Sequence, residues 1–182
     1  MGKSSKNKGS DFERKVCRLL TKWIVGKTDP VIFWRTAGSG SQFTRQQGCS
    51  KMCGDIMAIS SEGEFFTNLF CIECKFYEKI PFLGLISSKG CRLVSSWWKK
   101  LYEQSLIDSK LPFLFFKENY QPIYVMFPKA VYCEFETWAG SPSRFLVLNY
   151  EDVKVVVMEW NMFSEWLDPE TIRIYAREKG YV

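Results

Sequence analysis

Histidine is absent from all 182 residues. Its absence excludes imidazole as a general base, Ser-His and Cys-His nucleophile pairs, and every His-containing zinc site. A catalytic metal here would rest mainly on Asp and Glu oxygens, which favours hard ions such as Mg²⁺ or Mn²⁺. No stretch approaches the roughly 18 consecutive apolar residues of a membrane span, so no membrane partner is expected. Residues 1–10 are basic and polar with no apolar segment behind them, so a secretory signal is not expected. The seven cysteines, an odd number, then predict reduced thiols in a cytoplasm. Aromatics, in contrast, are abundant, with 15 Phe, 8 Tyr and 7 Trp in a chain that is 46% hydrophobic. That is enough apolar material for one domain with a real core.

Charge is unevenly placed. Residues 1–51 carry 11 Lys and Arg against 3 Asp and Glu, and the remainder carries 14 against 17. A basic first third on a nearly neutral body points to a polyanionic partner. A solubilising tail is the alternative for Lys3, Lys6 and Lys8. The excess continues through Arg14, Lys15, Arg18, Lys22, Arg35, Arg45 and Lys51, which favours nucleic acid.

Residues 1–9 are Lys, Ser, Asn and Gly apart from Met1, and read as a flexible basic tail ordered on binding. A single domain is expected over 10–182. Ser10 and Glu13 form a capping-box pattern before a helix with apolar residues at Phe12, Val16, Leu19, Leu20 and Trp23, ending by Gly26. Residues 31–34 read as a strand ending at Arg35. A long polar loop with Ser39, Arg45 and Lys51 then runs to Gly54, and loops of that length are usually functional or disordered. A helix is expected over about 94–109, and strands at 112–116, 123–127, 145–148 and 153–158. Short helical pieces follow near 162–167 and 171–178. The order of elements predicts an α/β fold with a mixed central sheet. Trp97 and Trp98 cannot both face inward on one helix, so one of them is expected to line a site or an interface.

The densest chemistry lies between Gly54-Asp55 and Glu73-Cys74-Lys75. Asp55 opens an apolar run to Ser60, a polar break containing Gly63 follows, and a second apolar run ends in Glu-Cys-Lys. Two such runs around a Gly-containing break predict a β-hairpin. Alternation along the second strand puts Glu73 and Lys75 on one face and Cys74 on the other. The hairpin would bring Asp55 alongside. Two carboxylates and an amine in one spot need a compensating charge, and a divalent cation supplies it. Metal-dependent phosphodiester cleavage sites are built in this way.

The spacing resembles the PD-(D/E)xK nuclease superfamily, and more narrowly its Holliday-junction resolvase branch, of the archaeal Hjc type, with related phage nucleases. The matching residues are Lys8-Gly9-Ser10 with Phe12-Glu13-Arg14, then Phe33 to Ser39, Gly54-Asp55, Cys71 to Lys75, Trp97-Trp98 with Gln104, and the strand from Pro112 to Lys117. They cover residues 8 to about 127, taken as the catalytic core (about 10–127), with 128–182 as a C-terminal extension. The element before Asp55 is Gly-Asp rather than the Pro-Asp of many members. The loop from Ser41 to Gly54 is longer than in the archaeal enzymes.

The resemblance implies a restriction-endonuclease-like core and a DNA endonuclease that uses Mg²⁺ or Mn²⁺. It implies action on four-way junctions as a homodimer, in recombination or phage DNA processing, in the cytoplasm of a bacterial, archaeal or phage-infected cell. Asp55, Glu73 and the Cys74 main-chain carbonyl would bind the metal, and Lys75 would orient water or neutralise developing charge. Glu13 and Gln104 would support the site. Arg35 and Ser39 would contact phosphate, with Lys8, Arg14, Arg45 and Lys51 as further DNA contacts. Three alternatives stay open: another nuclease of the superfamily, a non-catalytic DNA-binding module on the same fold, and RNA binding. A four-thiolate zinc site from Cys49, Cys53, Cys71 and Cys74 is disfavoured, because Cys71 and Cys74 fall on opposite faces of a strand. The thiols are expected to act as small buried hydrophobes.

Overall fold

The computed structural model describes residues 5–36, 53–85, 91–150 and 153–182. The chain opens with helix α1 (Ser5–Val25), followed by strands β1 (Phe33–Arg35) and β2 (Ile56–Ala58). Helix α2 (Ser61–Leu69), strand β3 (Phe70–Tyr77) and helix α3 (Arg92–Ile107) come next. Strands β4 (Leu111–Glu118) and β5 (Ile123–Pro128) lead to helix α4 (Lys129–Ala139). Strands β6 (Leu146–Tyr150) and β7 (Val153–Glu159) precede helices α5 (Trp160–Trp166) and α6 (Pro169–Glu178).

The main sheet has the order β3-β4-β5-β7-β6. Strands β3 and β4 are parallel, joined by the α3 crossover, and the remaining pairs are antiparallel. Helices cover both faces. This is the mixed α/β architecture that the order of elements predicts, and it is consistent with the restriction-endonuclease-like core that the resemblance implies. Strands β6 and β7 continue the same sheet as β3 and β4.

Each face of the sheet has its own core. On one face, α1, α2, α4, α5 and α6 pack against Phe70, Ile72, Phe113, Phe115 and Phe127. Phe113 is wholly buried, with the rings of Phe66, Phe70, Phe115, Phe127 and Phe163 centred 4.9 to 5.6 Å away. Offset and edge-on aromatic pairs of this kind add about 0.5–1.5 kcal/mol each beyond burial. On the other face, α3 packs its Val94, Trp97, Trp98 and Leu101 over Cys71, Leu114 and Phe116.

Several local expectations are corrected. Residues 61–69 form helix α2, so there is no hairpin between Asp55 and Glu73. The acidic first turn, Glu62 and Glu64, suits a helix N-terminus, and Phe65, Phe66 and Leu69 bury one face. Gly63 is needed for close approach and not for a turn, since a Cβ there would lie 2.8 Å from the Phe33 ring. Strand β2 pairs with β1 instead of β3.

Helix α1 begins at Ser5, so Ser10 and Glu13 are helix-interior residues and not a capping box. Trp97 and Trp98 are both buried. Successive helix positions differ by about 100°, and a core-facing stripe can be that wide. The Tyr77 ring, 4.8 Å from that of Trp97, closes the outer flank. Helix α4 falls where no element was expected; Val131, Tyr132 and Phe135 anchor it.

Candidate active site

Strand β3 is an edge strand of the main sheet, and its free edge is where Asp55 docks. Gly54 forms a parallel bridge with Ile72. The Asp55 N–H donates to the Ile72 carbonyl at 2.6 Å, and Asp55 Oδ2 accepts from the Cys74 N–H at 2.8 Å. Main chain and side chain are thus both clamped to β3. From the other side, the Thr36 N–H donates to the Asp55 carbonyl at 2.9 Å and its hydroxyl donates to the Gly54 carbonyl at 2.8 Å.

Gly54 is essential to this docking. Its φ is +81°, and a Cβ would lie 2.2 Å from the Ile72 carbonyl oxygen. Proline, fixed near −65°, cannot adopt that angle. The Gly-Asp sequence therefore reflects a backbone requirement of this chain.

The two acidic side chains of the core motif approach from different directions. Cys71 packs in the α3-side core and Cys74 in the α1-side core, so Glu73 and Lys75 belong to the α3 face, as alternation predicts. Lys75 Nζ is hydrogen-bonded to Glu73 Oε1. Glu13 comes from α1, and its carboxylate accepts from Arg35 Nε. Arg35 Nη2 also donates to Ser10 Oγ at 3.1 Å. The N–H and C=O of one strand residue point to the same edge, so the Cys74 carbonyl shares the free edge with Asp55.

The electrostatics follow from this crowding. Asp55 is only 5% exposed, and burial first, then the nearby Glu73, push its carboxyl up to about 7. The Cys74 N–H and Lys75 oppose that rise, and Glu13 adds to it. Burial alone would push the Lys75 ammonium down, yet the Glu73 charge and hydrogen bond, with Asp55, hold it above its ordinary value. Burial, then Asp55 and Glu73, keep the Cys74 thiol well above the usual range. It is therefore a poor nucleophile. Burial, then Glu13, likewise raises Cys17 to about 12.

Glu13, Asp55, Glu73, Lys75 and Arg35 are thus linked through contacts or charge. Gln104 is half-buried on α3, seven residues beyond Trp97, and makes no hydrogen bond to the cluster among the described residues. Arg14 pairs with Asp11 at 2.7 Å on the exposed side of α1, and Lys8 lies half-buried on the same helix. Ser39, Arg45 and Lys51 lie outside the described residues.

Sequence reasoning missed Ser10 and Thr36 as supports. Both lie in segments that match the family, but neither was given its role, because each acts through a partner distant in sequence. It also missed the pairing of Cys53 with Cys71, whose sulfurs are bonded with Cα atoms 5.2 Å apart. This corrects the expectation of uniformly reduced thiols. The cause is the Gly54–Ile72 bridge, which sets the preceding residues, 53 and 71, side by side. Cys17, Cys74 and Cys91 are buried free thiols, and Cys133 is exposed.

Among the described residues, no three His, Cys, Asp or Glu side chains stand as a ready-made coordination shell. The donor chemistry still fits a hard cation. The Asp55 carboxyl is pushed up by burial and then by neighbouring carboxylates, and all the proposed donors are oxygen. No helix among the described residues is long and apolar enough to cross a membrane.

No curated protein and no solved structure matches the chain. A family model described as "Phage putative PDDEXK endonuclease" matches residues 4–173, which include α1, Asp55, Glu73, Lys75 and strands β6 and β7. Matched over nearly its whole length, the chain belongs to this family of phage endonucleases.

Proposed function

We propose that the chain is an Mg²⁺-dependent (or Mn²⁺-dependent) DNA endonuclease whose substrate is a four-way junction, cut by a homodimer. The observation that carries the reading is Asp55, clamped on the edge of β3 and pushed up to about 7 by burial and by Glu73. A buried carboxylate held among others is costly unless a cation joins it.

Asp55, Glu73 and the Cys74 main-chain carbonyl would hold the metal. When bound, the ion supplies Lewis acidity and a water of lowered pKa. Lys75, now on Glu73, would neutralise charge building on the phosphate oxygens. Glu13, held by Arg35, which Ser10 holds in turn, would act from α1 as a water anchor or further ligand. Arg35 uses Nε and Nη2 internally, and its remaining N–H groups would serve a phosphate. Gln104, Ser39, Lys8, Arg14, Arg45 and Lys51 complete the proposed supporting and DNA-contacting set.

The junction preference rests on the resemblance to resolvases, and two symmetric cuts call for a two-fold dimer. The setting would be recombination or phage DNA processing in the cytoplasm. One observation favours a second reading, a non-catalytic DNA-binding module. The Lys75–Glu73 and Arg35–Glu13 pairs already neutralise two of the carboxylates without metal.

The test is cleavage of a labelled four-way junction, linear duplex and single strand of the same sequence. Each is incubated with Mg²⁺ or EDTA, using wild type and Asp55→Ala. Paired symmetric nicks confined to the junction, Mg²⁺-dependent and lost in the variant, are expected. Equal cutting of duplex would move the substrate to DNA at large. Binding with no cutting would favour the non-catalytic module.

A further inference from the structure

Helix α1 presents two flanks. Residues two apart on a helix are separated by about 200°, so Lys15 projects away from the Glu13 flank that meets Arg35. On that far flank lies a cavity of about 240 Å³ between α1, the β4–β5 turn and the start of α5. Its lining includes Lys15, Lys117, Gln121, Glu159, Trp160 and Asn161.

The two lysines outnumber the carboxylates of the lining. Lys117 Nζ donates only to the Gln121 main-chain carbonyl, and neither lysine forms an ion pair among the described residues. Glu159 contributes a single carboxylate against the two cations. Both lysines line the same space, and burial, then the charge of Lys15, pushes the Lys117 ammonium down. The lining therefore keeps an excess of one positive charge. Gln121 and Asn161 add neutral amide donors.

The size narrows the ligand. The cavity is smaller than the roughly 300–1,000 Å³ of pockets that enclose whole small molecules. It suits a single phosphodiester with its sugars left outside. Register places Lys117 beside Phe76, the residue after Lys75, and the Phe76 ring packs on Phe12 of α1 at 5.9 Å. The cavity thus lies one strand in from the Asp55 edge, on the opposite flank of the helix that carries Glu13.

We infer that the cavity lined by Lys15 and Lys117 is a second phosphate site, taking a backbone phosphate of the DNA away from the scissile one. This rests on the nuclease reading. Phosphate contacts of this kind position the duplex without reading its sequence.

The test compares steady-state cleavage of the labelled junction by wild type and the double variant Lys15→Gln/Lys117→Gln, across a salt series with Mg²⁺. KM should rise about tenfold while kcat stays within about twofold. The slope of log(1/KM) against log salt should become shallower by about 0.9 for each DNA phosphate that the variant no longer neutralises. Lys15→Gln alone should shift KM the same way by less, and it serves if the double variant melts early.

Unchanged KM and slope would overturn the second site while leaving Asp55-dependent cleavage standing. An equal shift in Lys154→Gln, an exposed lysine outside the cavity, would show bulk charge and overturn it too. No Asp55-dependent cleavage in wild type would remove the nuclease reading, and the site with it.

Discussion

Strand β3 carries two environments a few residues apart. At its start, Phe70 and Ile72 lie wholly inside an aromatic core in which neighbouring rings meet at favourable distances. At Glu73 and beyond, along the free edge, Asp55 is buried against other carboxylates and pushed up to about 7. The first region is satisfied by packing. The second is rich in charge that the protein alone compensates only in part, through Lys75 and Arg35. Stability is built in one half of the strand and given up in the other, as the proposed cation site would require.

Substitutions should separate the two regions sharply. Asp55→Asn keeps an acceptor for the Cys74 N–H and removes the buried charge. Cleavage should fall by on the order of 10³-fold or more, read as loss of nicked product, while the folded state survives. Phe113→Ala should do the reverse. It should cost about 3–5 kcal/mol in denaturant unfolding and, where the protein stays folded, leave metal dependence in place.

Gly54→Ala joins the regions. Its Cβ would collide with the Ile72 carbonyl and the backbone would hold a strained φ, so a loss of about 1–3 kcal/mol is expected together with reduced cleavage. Reduced stability with full cleavage, or the converse, would show that the Asp55 clamp and the core are independent. Arg14→Ala, breaking an exposed pair with Asp11, should change stability by less than about 0.5 kcal/mol.

The sequence made the core legible where periodicity was strong. Helix α3, strands β4 and β5, and the β6–β7 pair all fall close to expectation, because alternating or helical apolar spacing survives into burial. The association of Asp55 with Glu73 and Lys75 was also legible, though by a wrong route. A glycine in a polar break suggests a turn, whereas Gly63 lies in a helix against the Phe33 ring. The actual contact is the bridge at Gly54 with the Asp55 hydrogen bonds to Ile72 and Cys74, for which no local pattern exists. The Cys53–Cys71 bond and the Ser10 and Thr36 supports were illegible for the same reason. Each depends on a tertiary approach that spacing along the chain does not encode.

The central claim is that the charged edge of β3 is a cation site held at a cost to the fold. Its sign can be worked out. The Asp55 carboxyl sits near 7 in the folded chain against 3.8 as an ordinary aspartate, so the native state binds the proton more tightly. Its contribution must therefore lower stability as pH rises from about 4 to 7, by on the order of a few kcal/mol, with the penalty complete above that window.

The most direct test is thermal melting of wild type and Asp55→Asn between pH 5 and 8, with and without Mg²⁺. Without metal at pH 8, the variant should melt higher than wild type, and the gap should close toward pH 5. Added Mg²⁺ should raise the melting temperature of wild type at pH 8 and leave that of the variant unchanged. A wild type indifferent to Mg²⁺, with a variant that melts lower at every pH, would contradict the account.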